Sequence, residues 1–236
     1  MSPRRKVAIA TAVFSALGIG VSVGIIAAGG GFSGGPGPSI LNPPTSKDIW
    51  HVGANLQNGT SLEYIVTATA EHSSLDSAHV LMNFIDNRTN WKVRFIINNG
   101  TAQTIEKTIT LSKQLTREGQ LDNQFRPYFD PVRLSILAVR NMDYSGDPNE
   151  PKYLVIGAPW DTIIVGASSI TMRVTGQETI QTQAGSFHAF VLSYKLQDKT
   201  SRIWIVKDMP LPVKAEVYDA HDNLLYKYEL VKMSKI

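Results

Sequence analysis

The chain has 236 residues, of which 23 are Lys or Arg and 20 are Asp or Glu, and its pI is about 9.0. Three of the basic residues, Arg4, Arg5 and Lys6, precede a long apolar segment, and setting them aside leaves 20 basic against 20 acidic residues. A neutral remainder argues against a nucleic-acid-binding domain, and the absence of cysteine excludes disulfides, thiolate metal sites and a cysteine nucleophile.

The N-terminal segment predicts a single membrane-spanning helix. No charged residue occurs at positions 7–32, and the dense apolar part, residues 7–28, is 22 residues long. A helix of that length spans about 33 Å, close to the ~30 Å hydrocarbon core of a bilayer. This length favours an uncleaved signal anchor over a cleaved signal peptide, and the small residues at 27–29 leave cleavage open. The basic flank, residues 1–6, is expected in the cytoplasm and the C-terminal domain outside.

Small residues recur every fourth position along this anchor, and they allow a second transmembrane helix to approach closely. The alternative is that an Ala- and Gly-rich segment produces such a stripe by chance. The candidate packing residues are Ala16, Gly20, Gly24 and Ala28, in a stripe that begins at Ala8 and Ala12.

Residues 29–47 form a Gly-rich run followed by Pro36, Pro38, Pro43 and Pro44. Glycine gives flexibility and clustered proline gives extension, so this segment is predicted to be a linker between the anchor and the domain.

From Asp48 onward, β-branched and aromatic runs alternate with turn residues. This pattern predicts a mainly β extracytoplasmic domain, residues 48–236, built as one large antiparallel or barrel-like sheet. Hairpins are expected at Asn98-Asn99-Gly100 and at Ala184-Gly185. The predicted strands are Ser61–Ala70, His79–Ile85, Trp91–Ile97, Gln103–Leu111, Ile170–Thr182, Ser186–Leu196, Arg202–Lys207, Pro212–Asp219 and Leu224–Val231.

The segment Asp130–Met142 predicts one short helix, with Asp130 as its cap and Pro131 at its first position. A second helix is predicted at Leu111–Gly119. Ser145–Pro151 is rich in Gly and Pro and is predicted to be a loop.

Three Asn-x-Thr sequons coincide with predicted turns, where a glycosylating enzyme has access. The alternative is coincidence, because such tripeptides are common. The candidate acceptors are Asn58, Asn87 and Asn99.

No catalytic, cofactor-binding or metal-binding constellation stands out in the sequence. Glu71, His72, Asp76 and His79 lie near one another, but they lack the compact spacing of a zinc site and fit a solvated turn better. No nucleophile elbow and no phosphate-binding glycine loop is present. We therefore predict a protein that is not an enzyme and that needs no cofactor.

Two tryptophans, Trp160 and Trp204, are candidates for lining a ligand groove. The alternative is that they fill the core, as aromatic residues of β proteins usually do.

The C-terminal third carries a pattern that resembles a known family. Ala184-Gly185-Ser186-Phe187 is followed by a Trp204-containing strand and then by Pro210-Leu211-Pro212-Val213-Lys214. Over roughly residues 160–232 this resembles the half-barrel proteins related to the bacterial lipoprotein carriers and to the DUF3108 family. The resemblance implies a strongly curved antiparallel sheet, a half-barrel, around one or two short helices. It also implies lipid or lipoprotein handling, although no lipid-binding residue carries over.

Together these features predict a membrane-anchored extracytoplasmic binding protein without enzymatic activity. Its expected partner is an apolar or amphipathic ligand or a neighbouring envelope protein. The alternative is an accessory subunit of a membrane protein complex, and a hydrolase is a third interpretation. An apolar cavity enclosed by the sheet favours the ligand, and a filled core argues against it.

Overall fold

The computed structural model describes residues 43–100, 104–140, 151–165 and 168–234. The predicted anchor and most of the predicted 145–151 loop lie outside these ranges, and within them no helix is long and apolar enough to cross a membrane. The strands are β1 Ile49–Trp50, β2 Ser61–Ala70, β3 Ser73–Asn87, β4 Asn90–Asn98, β5 Thr104–Ser112, β6 Arg117–Glu118, β7 Lys152–Tyr153, β8 Pro159–Val165, β9 Ser168–Thr182, β10 Gly185–Lys195, β11 Thr200–Ile205, β12 Lys214–Tyr218 and β13 Leu224–Ser234. The helices are α1 Arg126–Arg133 and the 3-10 helices Ser46–Asp48 and Ile136–Arg140.

Eleven of these strands form one antiparallel sheet in the order β6-β5-β4-β3-β2-β13-β12-β11-β10-β9-β8. The end strands β6 and β8 do not pair with each other, so the sheet is open and does not close into a barrel. The other two strands, β1 and β7, pair with each other. The prediction of one large antiparallel sheet is confirmed, and each predicted strand coincides with or overlaps an observed one.

The sheet buries one face, which we call the inner face. In β2, Leu62, Tyr64 and Val66 are fully buried while the residues between them are partly exposed, as the two-residue period of a strand requires. The register continues this face through Val80 of β3 to Ile97 of β4. The opposite, outer face carries the polar and charged residues of the same strands together with the apolar residues Ile65, Leu81, Ile85 and Ile96.

Helix α1 begins earlier than the sequence predicts. It spans Arg126–Arg133, with a proline at the start of its first turn, and Pro131 falls in its last turn instead of its first. The prediction placed the start at Asp130, but the apolar stripe that packs on the sheet begins before it. That stripe consists of Phe125, Phe129 and Val132, at helical spacing, all buried.

The second predicted helix, Leu111–Gly119, is wrong. The side chain of Ser112 accepts hydrogen bonds from the amides of Gln114 and Thr116, both at 3.2 Å, and Leu115 has a φ of +62°. A left-handed residue interrupts a right-handed helix. The segment is therefore a tight turn that leads from β5 into β6.

The β9–β10 hairpin carries the Ala184-Gly185 turn that the sequence predicts, and its tip contacts β13. The amide of Ala184 donates to the Leu230 carbonyl at 3.4 Å, and that of Gln183 to the Glu229 carboxylate at 3.2 Å. Since β10, β11 and β12 separate β9 from β13 in the sheet, the hairpin tip reaches across to a strand that is not its neighbour. Gly185, with a φ of +131°, permits this turn.

Four tyrosines are buried in the core: Tyr64, Tyr194, Tyr226 and Tyr228. The hydroxyl of Tyr64 donates to the Pro212 carbonyl at 3.0 Å. The hydroxyl of Tyr228 has no hydrogen-bonding partner in the part of the chain that the structure describes. Burial raises the pKa of each of the four hydroxyls.

The two hydroxyls make a matched pair of tests. We expect Tyr64→Phe to lower the free energy of unfolding by about 1–2 kcal/mol, because the Pro212 carbonyl loses a buried partner. We expect Tyr228→Phe to change the free energy of unfolding by less than about 0.5 kcal/mol, or to raise it, because that hydroxyl is buried without a hydrogen bond to any described residue. Urea unfolding of both variants measures the difference. If the two variants lose the same free energy of unfolding, the result contradicts a hydrogen bond from Tyr64 together with an unpartnered Tyr228 hydroxyl.

Candidate functional site

The inner face, where the sequence places a possible apolar ligand, is occupied by the chain's own side chains. Phe129 of α1 is fully buried, with its ring 5.5 Å from Phe95 of β4 and 5.9 Å from Phe125. On another part of this core, the ring of Trp50 lies 5.7 Å from that of Trp160. These contacts belong to one continuous cluster of buried residues that runs through the described part of the domain. The described inner face is therefore a packed core.

The two tryptophans proposed for a ligand groove are not brought together. Trp160 is 2% exposed and packs against Trp50 in the core. Trp204 is also buried, at 6% exposed, and belongs to the same cluster of buried residues; its indole N–H donates to Glu178 and its ring lies 5.6 Å from the Lys214 ammonium. Both rings are therefore buried, and each has different contacts.

The three sequons fall at two ends of the β3–β4 region. The side-chain oxygen of Asn58 accepts a hydrogen bond from the Asp86 amide at 3.0 Å, beside exposed Asn87 at the β3–β4 turn. Asn99 follows the far end of β4, where it accepts from the Asp76 amide at 3.1 Å. The three asparagines stay predicted glycosylation sites.

The histidine-rich segment does not assemble into a metal site. His79 Nδ1 lies 2.9 Å from Glu63 on the outer face, and His72 contacts its neighbour Glu71 at 3.3 Å. No group of three potential metal ligands occurs among the described residues.

The sheet ends at β8 on one side and at β6 on the other, and because β6 has only two residues, most of β5 is also an open edge in the described part of the chain. Pairing of β5 with β6 is limited to Thr110 with Glu118 and Leu111 with Arg117. The chain then turns at Gly119, whose φ is +76°. The stretch from Thr104 to Ile109 has no strand on that side in the described part of the chain.

The alternation of the strand shows which residues face the open edge. The amide of Ser112 donates to the Thr116 carbonyl at 2.7 Å, so the backbone of Ser112 faces the β6 side. Since alternate residues of an antiparallel strand face the same neighbour, the backbone N–H and C=O groups of Thr104, Glu106 and Thr108 also face it. These three residues are exposed.

A groove with a volume of about 470 Å³ lies at the β6 end of this edge, where Lys107 and Thr108 are among its lining residues. Its lining includes Ile109 of β5 and also Leu121 and Asp122, which lie between β6 and α1. Ile109 and Leu121 are partly buried against the core. The groove therefore combines partly buried apolar side chains, charged side chains and an unpaired stretch of strand, which are the components of a peptide-binding edge.

Two exposed ion pairs lie at this edge. Lys107 Nζ is 2.9 Å from the Asp122 carboxylate. The Arg94 guanidinium donates two hydrogen bonds, of 2.7 and 2.8 Å, to the Glu106 carboxylate. The hydrogen bond from Lys107 lowers the pKa of Asp122, and the hydrogen bonds from Arg94 lower the pKa of Glu106. Exposed ion pairs contribute little to stability, so Lys107 can exchange Asp122 for another carboxylate.

Sequence patterns predicted β5 but missed its open edge. The short strand β6 has only two residues, Arg117 and Glu118, with no strand-like pattern, and Gly119 is the one local signal of where it ends. Which edge of a sheet stays unpaired depends on the order of the strands in the sheet, and the sequence pattern does not indicate that order directly.

No protein-family model matches the chain, and no curated protein matches it. Three solved structures are similar to it. One, from Parabacteroides distasonis and assigned as a lipoprotein, is 12% identical and has a TM-score of 0.37, with 78% of this chain and 99% of that one covered. Another, from Bacteroides fragilis and assigned as an exported protein with a YmcC-like fold, is 10% identical and has a TM-score of 0.34, with 79% and 99% covered.

The third is MucB, at 13% identity and a TM-score of 0.38, with 78% of this chain and 55% of MucB covered. Likenesses this weak support no conclusion about this chain.

Proposed function

We propose that this protein is a membrane-anchored, extracytoplasmic binding module without enzymatic activity, and that its partner is another protein of the cell envelope. The observation that carries the proposal is the combination of a packed inner face with an open β5 edge. Buried side chains fill the described inner face, which favours binding outside it, and the unpaired β5 edge offers hydrogen-bonding groups to an incoming chain.

The location follows from the N-terminal sequence. The apolar segment 7–28 has the length of a transmembrane helix, and the basic residues on its N-terminal side favour a cytoplasmic N-terminus with the domain outside. The Gly- and Pro-rich linker, residues 29–47, gives the domain reach away from the bilayer. A module held in this way meets partners that are themselves in the membrane or near it.

Chemical crosslinking in native membranes, followed by mass spectrometry of the captured species, tests the proposal. We expect a protein to be captured by the domain in the wild-type chain. Recovery of the uncrosslinked chain alone, under conditions in which a known membrane complex is captured, contradicts it.

A second candidate function is an accessory subunit held by its anchor helix. The stripe of Ala16, Gly20, Gly24 and Ala28 favours it, because small residues let two transmembrane helices pack closely. The double variant Gly20→Leu, Gly24→Leu is then expected to lose the partner in co-purification. A matched Val21→Leu, Val23→Leu variant, which changes the other faces of the helix, should keep it. Retention of the partner in both variants assigns the contact to the domain.

A further inference from the structure

We propose that the open edge of β5 binds an extended segment of the partner protein, which joins the sheet as an additional strand and places an acidic residue opposite Lys107. This inference rests on the proposed function and deepens it, because it names the binding site and the chemistry of the partner.

The backbone of the edge specifies an extended partner. Thr104, Glu106 and Thr108 direct their N–H and C=O groups to the open side, and no described residue pairs with them there. A strand beside them satisfies these groups with the ladder that β4 already forms on the other side. A helix or a compact loop does not match this spacing of donors and acceptors.

The side chains specify which sequence fits. Ile105, Lys107 and Ile109 alternate on the inner face of β5, and the two isoleucines are partly buried against the core. Side chains directly across two strands pair best as apolar with apolar and as opposite charges. The matching segment is therefore apolar, any residue, acidic, any residue, apolar, with its acid at Lys107.

The groove supplies space for the acidic side chain. Lys107 and its present partner, the exposed Asp122, both line the groove. Since that pair is solvent-exposed on both sides, an incoming carboxylate can replace Asp122 without leaving a buried charge unpaired.

A second copy of this chain fits the edge poorly. A two-fold axis makes the two β5 strands antiparallel, and the residues whose backbones face outward must pair with each other. The registers with the longest overlap then place Glu106 opposite the Glu106 of the copy, or Lys107 opposite its Lys107. Like charges directly opposite are destabilising, so the edge suits a partner of different sequence.

Short peptides test the site directly. The probe is the capped peptide Thr-Val-Thr-Glu-Thr-Val-Thr, and its control replaces Glu with Lys. We expect the Glu peptide to bind about twofold to fivefold more tightly than the Lys peptide, and to slow the hydrogen exchange of the amides of Thr104, Glu106 and Thr108 in NMR spectra. Lys107→Glu should reverse the preference between the two peptides.

The variant Thr108→Pro blocks the edge while keeping the fold. Its missing N–H faces the open side, where proline is tolerated in edge strands, so the β4–β5 ladder is retained. We expect at least a roughly tenfold loss of peptide affinity, because the ring and the missing donor prevent pairing. Thr108→Ala, which keeps the N–H, is the matched control and should bind like the wild type. Circular dichroism and thermal unfolding check that both variants are folded.

The outcomes separate this inference from the proposed function. If crosslinking in native membranes captures a protein in the wild type and in Thr108→Ala but not in Thr108→Pro, both are supported. If capture is the same in all three, the partner binds elsewhere: this inference fails and the proposed function holds. If no protein is captured at all, the proposed function fails. A Glu peptide that binds equally to the wild type and to Thr108→Pro also overturns the edge site.

Discussion

Raising the pH above about 10 is expected to unfold the protein over a narrow pH range. Four of its eight tyrosines are buried in the core, and burial raises the pKa of each hydroxyl above the ordinary value of 10.0, to about 12 for Tyr194. The folded protein therefore keeps these hydroxyls protonated at a pH where the unfolded chain loses their protons.

The sign of the effect follows from proton binding. Below pH 10 both states hold the four protons, so the stability from burial is fully present. Above it the folded state binds more protons than the unfolded state, and stability falls as the pH rises. Each tyrosine contributes a slope of about 1.4 kcal/mol per pH unit, so four give about 5 kcal/mol per unit. The stability of an ordinary domain, about 5–15 kcal/mol, is then lost within roughly one to three pH units.

Tyrosinate absorbance and far-ultraviolet circular dichroism, recorded in one alkaline titration, measure this effect. The four buried hydroxyls should ionise together with the loss of β structure. Tyr228→Phe is the matched variant and should reduce the slope to about 4 kcal/mol per pH unit. Gradual ionisation of all the tyrosines with an intact circular dichroism spectrum at pH 12 contradicts the burial of the cluster.

The second large effect is expected from Phe129→Ala. Phe129 is fully buried between α1 and the sheet, with its ring packed edge-on against Phe95 and stacked with Phe125. Removing a buried phenylalanine ring costs about 3–5 kcal/mol, because apolar burial is lost and the cavity left behind fills only partly. The loss of the ring also removes one of the apolar contacts that hold α1 on the inner face.

Urea unfolding of the domain measures this loss. Arg126→Ala is the matched control, because Arg126 lies exposed on the same helix, and its substitution should change the free energy of unfolding by less than about 0.5 kcal/mol. A loss below about 1 kcal/mol for Phe129→Ala contradicts a tightly packed inner face, and so does equal stability of the two variants.

The sheet could be predicted from the sequence because its strands have clear local signals. The run Ser61–Ala70 alternates apolar and polar residues except at Ile65, and β2 has those same bounds. Asn98-Asn99-Gly100 and Ala184-Gly185 supply turn residues at the places where the strands reverse. These features depend on residues that are adjacent in the chain, and they can therefore be identified from the sequence.

The helix and the candidate site depend on tertiary contacts, and so they were predicted less well. Asp130 and Pro131 resemble a helix start, but the packing of Phe125 on Phe95 moves the start to Arg126. Leu115 adopts a left-handed backbone conformation in its turn, and a leucine side chain gives no sequence signal for that conformation. The open edge of β5 arises because β6 ends after two residues, which only the strand order reveals.

The central claim is that the inner face is a packed core and that binding takes place outside it. The large sheet and helix α1 contribute to one continuous core, so the domain can be released from the purified full chain through a protease site introduced into the linker. Native mass spectrometry of the released domain, before and after incubation with a fluorescent fatty acid, tests the claim most directly. We predict the mass of the polypeptide with no apolar molecule bound in either sample. A lipid that co-purifies with the domain in near-equal amount, or stoichiometric uptake of the fatty acid, would contradict it.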